Sequence, residues 1–151
     1  MAKFIYRMQN ILNLKLKLEE QEKTAFAMAA ARLNQEEAKL EELFEKKERL
    51  EAEYKECMSK VDIPSLKMLS SGRDKVDGDI KSQKINVSLA QKNLDVARVR
   101  LEEAITERKI QEKLREKALE EFKVELAAAE SKEVDQLVSY NFSVKEDEVK
   151  E

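Results

Sequence analysis

The side chains that most often carry enzyme chemistry are nearly absent from this sequence. Its 151 residues include one cysteine, Cys57, and no histidine. Nucleophilic catalysis usually needs a serine, cysteine or threonine beside a histidine base, and zinc sites usually need clustered histidines or cysteines. Phosphate-binding loops need clustered glycines, whereas Gly72 and Gly78 stand apart in this sequence. We therefore expect a non-enzymatic protein with no cofactor and no metal site.

Two charged residues interrupt an otherwise apolar stripe in the first half of the chain. Glu36 and Lys47 could form a functional pair. However, polar residues on the seam of a coiled coil more often set register and partner choice at some cost in stability. We interpret both as register-setting residues and Cys57 as a small apolar filler.

The composition indicates a chain that is almost entirely long helix. Charged residues make up 40% of it and aromatic residues 5%, with two glycines and one proline. Turns depend on glycine, proline, asparagine and aspartate, so their scarcity leaves room for few turns. A net charge of −3 with both signs intermixed argues against nucleic acid as a partner. No apolar run is long enough for membrane insertion, and the lone cysteine suits a reducing cytosol, so we expect a cytoplasmic protein.

A heptad pattern runs through the first half of the chain. Alternating steps of three and four residues define a stripe in which nine of eleven positions are apolar. This spacing predicts a coiled-coil helix. The positions are Phe26, Ala29, Leu33, Glu36, Leu40, Leu43, Lys47, Leu50, Tyr54, Cys57 and Val61, and upstream Phe4, Met8, Ile11, Leu18 and Ala25 continue the stripe with a phase shift.

The only strong stop signal is Pro64, which suits the first turn of a helix. A second stripe follows it, thins to Ile110 and Leu114, and recovers from Leu119. Two apolar stripes joined by one short connection predict an all-α fold, a long antiparallel two-helix coiled coil. We expect one hairpin over residues 1–142, with arm one at about 3–59, the turn at 60–64 and arm two at about 64–142. Residues 143–151 are expected to form an acidic flexible tail.

The two ends of the hairpin are predicted to differ in length and charge. Folding at Pro64 leaves residues 122–142 projecting past the N-terminus, either as a site for a partner protein or as a frayed or self-associating end. The first 18 residues carry Lys3, Arg7, Lys15 and Lys17 and no acid. They form either a solvated helix end or a basic docking end for an acidic partner.

Both ends of the sequence also resemble one known family. Residues 4–15, FIYRMQNILNLK, followed by Glu19 and Glu20, are similar to the aromatic-led opening helix of the flagellar export protein FliJ family. Phe122 and residues 130–137, ESKEVDQL, resemble the "EQKxLDE" segment of the same family. The resemblance covers nearly the whole chain.

The resemblance implies a stalk or coupling component of the flagellar type III export apparatus, at the cytoplasmic face of the membrane at the flagellar basal body. Its implied partners are the hexameric export ATPase, the export gate protein FlhA and export chaperones. The implied ATPase-contacting residues are Phe4, Arg7, Met8, Ile11, Lys15, Lys132, Glu133, Asp135 and Gln136. The implied gate-contacting residues are Leu69, Val76, Ile80 and Gln83.

Two alternative functions stay open at this point. One is a central-stalk-like component of a virulence-type secretion system. The other is an unrelated coiled-coil scaffold or spacer. A spacer would pair in parallel and need no turn, whereas Pro64 near a heptad break favours a hairpin.

Overall fold

The structure, a computed structural model, describes residues 2–150. It is 94% helical, and the described part of the chain contains no strand. Helix α1 spans Gln9–Lys60 and helix α2 spans Ile63–Lys150. The two helices contact each other, which confirms the predicted all-α hairpin.

The helix ends differ from the expected bounds at three places. Helix α1 begins at Gln9 rather than near residue 3, and α2 begins one residue before Pro64. Helix α2 also continues past residue 142, so residues 143–150 of the expected tail are helical; Glu151 lies outside the described residues. This stretch contains no glycine or proline to stop a helix, and the Ser143 hydroxyl donates a hydrogen bond to the Ser139 carbonyl one turn earlier at 3.0 Å.

Two residues, Val61 and Asp62, reverse the chain between the helices. Val61 has a φ of 53°, which closes α1 in the left-handed conformation usually given to glycine. Asp62 then caps α2 through a 2.7 Å hydrogen bond that its carboxylate accepts from the Ser65 hydroxyl. Its carboxylate also accepts a longer bond, 3.4 Å, from the Ser65 amide, as an N-cap residue does. The backbone of Val61 therefore ends α1, and the side chain of Asp62 caps the start of α2.

The chain divides into two units, of which one comprises residues Leu18–Ala104. Its core is a seam between α1 and α2, centred on buried Leu33, Ala90 and Leu94. The predicted stripe of α1 faces this seam, since every position from Phe26 to Cys57 is buried or half-buried. Because the heptad repeat places these residues on one side of the helix, pairing with α2 shields them from water.

The other unit comprises the residues up to Lys17 and from Ile105 onwards. Leu12 is its most buried apolar residue. Ile110 and Leu114, which the pattern assigns to the stripe, are about half-exposed. Three half-buried positions beside and between them are instead polar: Arg108, Gln111 and Glu112.

Candidate protein-binding site

The N-terminal segment is held against α2 by several contacts. The rings of Phe4 and Phe122 lie 5.4 Å apart and tilted, a geometry that favours aromatic pairs. The Lys15 ammonium donates a 2.7 Å hydrogen bond to the Glu107 carboxylate. A longer bond, 3.5 Å, runs from the Tyr6 hydroxyl to the Gln111 amide oxygen. These contacts fix residues on both sides of the start of α1.

The five candidate ATPase-contacting residues of this segment fall into two groups. Phe4 and Lys15 are half-buried because they pack and bond against α2. Arg7, Met8 and Ile11 remain exposed, although the pattern had placed Met8 and Ile11 on the stripe. We name these three residues the N-terminal face. It combines one cation with two apolar side chains on an anchored segment.

The four C-terminal candidates lie on a different stretch of the same unit. Lys132, Glu133, Asp135 and Gln136 are exposed, as is every residue from 127 to 150. Ten residues of helix separate Phe122 from Lys132, which at about 1.5 Å per residue amounts to roughly 15 Å. The structure therefore does not bring these four residues together with Phe4, which packs on Phe122.

Arg115 of α2 also contacts the N-terminal segment, and it is missed when only apolar residues are counted. The Arg115 guanidinium donates a 3.2 Å hydrogen bond to the Gln9 amide oxygen and lies 5.8 Å from the centre of the Phe4 ring. A cation over an aromatic face is attracted by the ring quadrupole. A signal was present in the sequence, since Arg108, Arg115 and Phe122 follow one another at intervals of seven residues.

The four candidate gate-contacting residues lie in the unit formed by Leu18–Ala104. Leu69 is half-buried, whereas Val76, Ile80 and Gln83 are buried in the seam. The Gln83 amide donates two hydrogen bonds to Glu36, at 2.6 Å to its carboxylate and at 2.9 Å to its backbone carbonyl. With α1 and α2 in contact, these residues do not form an accessible surface.

The two seam charges each have a partner on the other helix rather than pairing with one another. The hydrogen bond from Gln83 lowers the pKa of Glu36 below its ordinary value, although burial of the carboxylate acts in the opposite direction. Arg32 and Lys39 of α1 also contact this carboxylate, at 3.0 and 3.6 Å.

Lys47 lies 2.9 Å from the Asp77 carboxylate, and this hydrogen bond raises the pKa of the ammonium. Each cross-helix pair is satisfied in only one alignment of the helices. This agrees with a role for Glu36 and Lys47 in setting the register.

The described residues offer neither a metal centre nor a membrane span. Over residues 2–150, no group of three or more histidine, cysteine, aspartate or glutamate side chains could hold a metal ion. No helix among these residues is long and apolar enough to cross a bilayer.

The fold defines the class of an all-α helical-hairpin protein. Residues 4–147 match the sequence profile of the family described as "Flagellar FliJ protein". The chain belongs to the FliJ family, whose members are known as non-enzymatic components. Its role is related to flagellar export. No curated protein and no solved structure matches the chain significantly.

Proposed function

We propose that this chain is the stalk or coupling component of the flagellar type III export apparatus. It docks in the hexameric export ATPase and links that ATPase to the export gate protein FlhA and to export chaperones. Its place is the cytoplasmic face of the membrane at the flagellar basal body. The observation that carries the proposal is the family match across residues 4–147.

The ATPase contact is proposed for the N-terminal face, together with Lys132, Glu133, Asp135 and Gln136 of α2. Arg7 supplies charge, while Met8 and Ile11 supply exposed apolar area that a partner could bury. The segment that carries them is already ordered by Phe4 and Lys15. Docking on an ordered segment avoids the entropy cost of folding it on contact, which supports a binding role.

The FlhA contact is proposed for Leu69, Val76, Ile80 and Gln83. Since the last three are buried between α1 and α2, this contact requires the helices to separate locally. Gly72 and Gly78 fall within this stretch of α2, and each weakens a helix interior by about 1 kcal/mol relative to alanine. Local unwinding of α2, which would release these side chains from the seam, is therefore less costly here than in a stretch without glycine.

The ATPase contact is tested by a double substitution on the N-terminal face. Arg7→Glu with Met8→Asp reverses the charge and removes apolar area, and because both residues are exposed we expect the hairpin to remain folded. We expect the variant to lose its stimulation of the purified hexameric export ATPase in a steady-state hydrolysis assay. Far-UV circular dichroism checks that helicity is retained.

The chain offers a matched control at Lys67 and Met68, which repeat the basic-methionine pair on an exposed part of α2. Lys67→Glu with Met68→Asp makes the same chemical change away from the N-terminal face, and we expect it to stimulate hydrolysis as the wild type does. Full stimulation by the Arg7/Met8 variant would contradict the proposed contact. An equal loss in both variants would show that the effect is one of net charge.

A further inference from the structure

Helix α2 carries a second apolar stripe that α1 does not cover. Ile85, Leu89, Val96 and Val99 are 68%, 57%, 51% and 52% exposed. Single exposed aliphatic residues are normal on a protein surface, but four along one face of one helix form a contiguous feature. We call these four residues, together with Lys92, the outer stripe.

The spacing of the outer stripe is that of a coiled-coil seam. From Ile85 the steps to Leu89, Lys92, Val96 and Val99 are four, three, four and three residues. At about 100° per residue, these five positions share one face of α2. The buried residues Ala90, Leu94 and Ala97 lie on the roughly opposite face, where α2 meets α1. Helix α2 thus has two heptad faces between residues 85 and 99, and among residues 2–150 only one of them is covered.

The heptad spacing of the outer stripe indicates what kind of partner would bind it. A heptad face is complementary to another helix, because its side chains insert between those of a facing helix with the same repeat. The stripe spans two heptads, which is about 21 Å of helix. An amphipathic helix with apolar residues at matching positions would cover it.

The charge at the centre of the stripe disfavours a second copy as that helix. Lys92 stands seven residues from Ile85 and seven from Val99. Pairing two outer stripes in register, in either direction, therefore places Lys92 opposite Lys92. Like charges facing each other across a seam disfavour the pairing. Shifting the register by one heptad would relieve the repulsion but leave half of the stripe uncovered.

We propose that the outer stripe docks an amphipathic helix of a different protein, with an acidic residue at the seam position facing Lys92. The apolar residues supply the contact area, and the lysine supplies selectivity through its charge. This inference is independent of the proposed ATPase and FlhA contacts, since it uses none of their residues.

The test uses two synthetic helical peptides of about three heptads each. Both have leucine at the seam positions, and they differ only at the central one, which is glutamate in one peptide and lysine in the other. Binding to the full chain is followed by fluorescence anisotropy. We expect the wild type to prefer the glutamate peptide roughly fivefold, because an attractive pair replaces a repulsive one. Lys92→Glu should reverse that preference.

Two further variants keep the outcome interpretable. Leu89→Asp places a charge in the stripe and should abolish binding of both peptides, whereas Lys55→Glu changes an exposed lysine of α1 and should leave the preference unchanged. The proposal is overturned if Lys92→Glu does not alter the preference, or if Leu89→Asp still binds. It is also overturned if sedimentation shows that the wild type dimerises and that Leu89→Asp is monomeric, because a second copy would then occupy the stripe.

Discussion

Leu94 is the residue at which the stability of the seam can be measured most directly. It is 8% exposed and packs in the core cluster with Leu33 and Ala90. Val96, two residues later on the same helix, is 51% exposed and belongs to the outer stripe. The pair allows a buried and an exposed truncation to be compared within one turn of α2.

The expected cost of Leu94→Ala follows from the atoms that it removes. The substitution deletes Cγ and both Cδ atoms, and each buried carbon contributes about 0.8 kcal/mol, or about 2.4 kcal/mol together. A cavity adds to this cost in a closed core, but in a two-helix layer the neighbouring side chains can move into the space. We therefore expect a loss of about 2–3 kcal/mol in the free energy of unfolding, a substantial part of the roughly 5–15 kcal/mol typical of folded proteins.

Urea unfolding followed by far-UV circular dichroism measures this loss, provided that the m-value is unchanged. The matched control, Val96→Ala, should alter the free energy of unfolding by less than about 0.5 kcal/mol because its side chain is already half in water. Equal effects of the two substitutions would refute the assignment of Leu94 to the seam. A loss below about 1 kcal/mol for Leu94→Ala would also refute this assignment, because exposing the three deleted carbons to water would account for more than that.

Two further predictions concern the turn and the buried carboxylate. Val61→Gly should raise the free energy of unfolding by about 1 kcal/mol in the same urea assay, because a β-branched residue is strained at a φ of 53°; Met58→Gly, inside α1, should lower it by a similar amount. Gln83→Leu should raise the pKa of Glu36, measured by NMR titration of its carboxyl group. Because the pKa of Glu36 is lowered in the folded state, its ionised carboxylate stabilises that state at pH values above the unfolded-state pKa. This stabilisation is lost as the pH falls. The variant, in which the pKa is lowered less, should therefore lose less stability between neutral pH and about pH 3. An unchanged Glu36 pKa would show that the hydrogen bond from Gln83 is not the main cause of the lowering.

The central seam could be predicted from the sequence because apolar spacing and burial coincide there. Steps of three and four residues from Phe26 to Cys57 fall on the buried side of α1, including the two charged positions. A heptad over this length leaves one arrangement that hides the stripe, namely pairing with another stripe. Pro64 then located the reversal to within two residues of Asp62.

The terminal unit could not be predicted as well, because its seam is not built from apolar residues alone. Counting apolar residues assigned Met8, Ile11, Ile110 and Leu114 to the interface, and all four are exposed. Arginine has a long apolar stem beneath its charge, so a residue such as Arg108 can occupy a half-buried position that a hydrophobicity count overlooks.

The fold makes different demands on the two contacts proposed within the export apparatus. The N-terminal face is exposed while α1 and α2 are paired, so a partner can bind it without disturbing the seam. Val76 and Ile80 are buried, and exposing each would cost about 1.5–3 kcal/mol. A gate protein that touches them must recover roughly 3–6 kcal/mol from its own contacts before any net affinity remains. Binding at the N-terminal face is therefore the contact available to the closed hairpin, and contact through Val76 and Ile80 must be coupled to its opening.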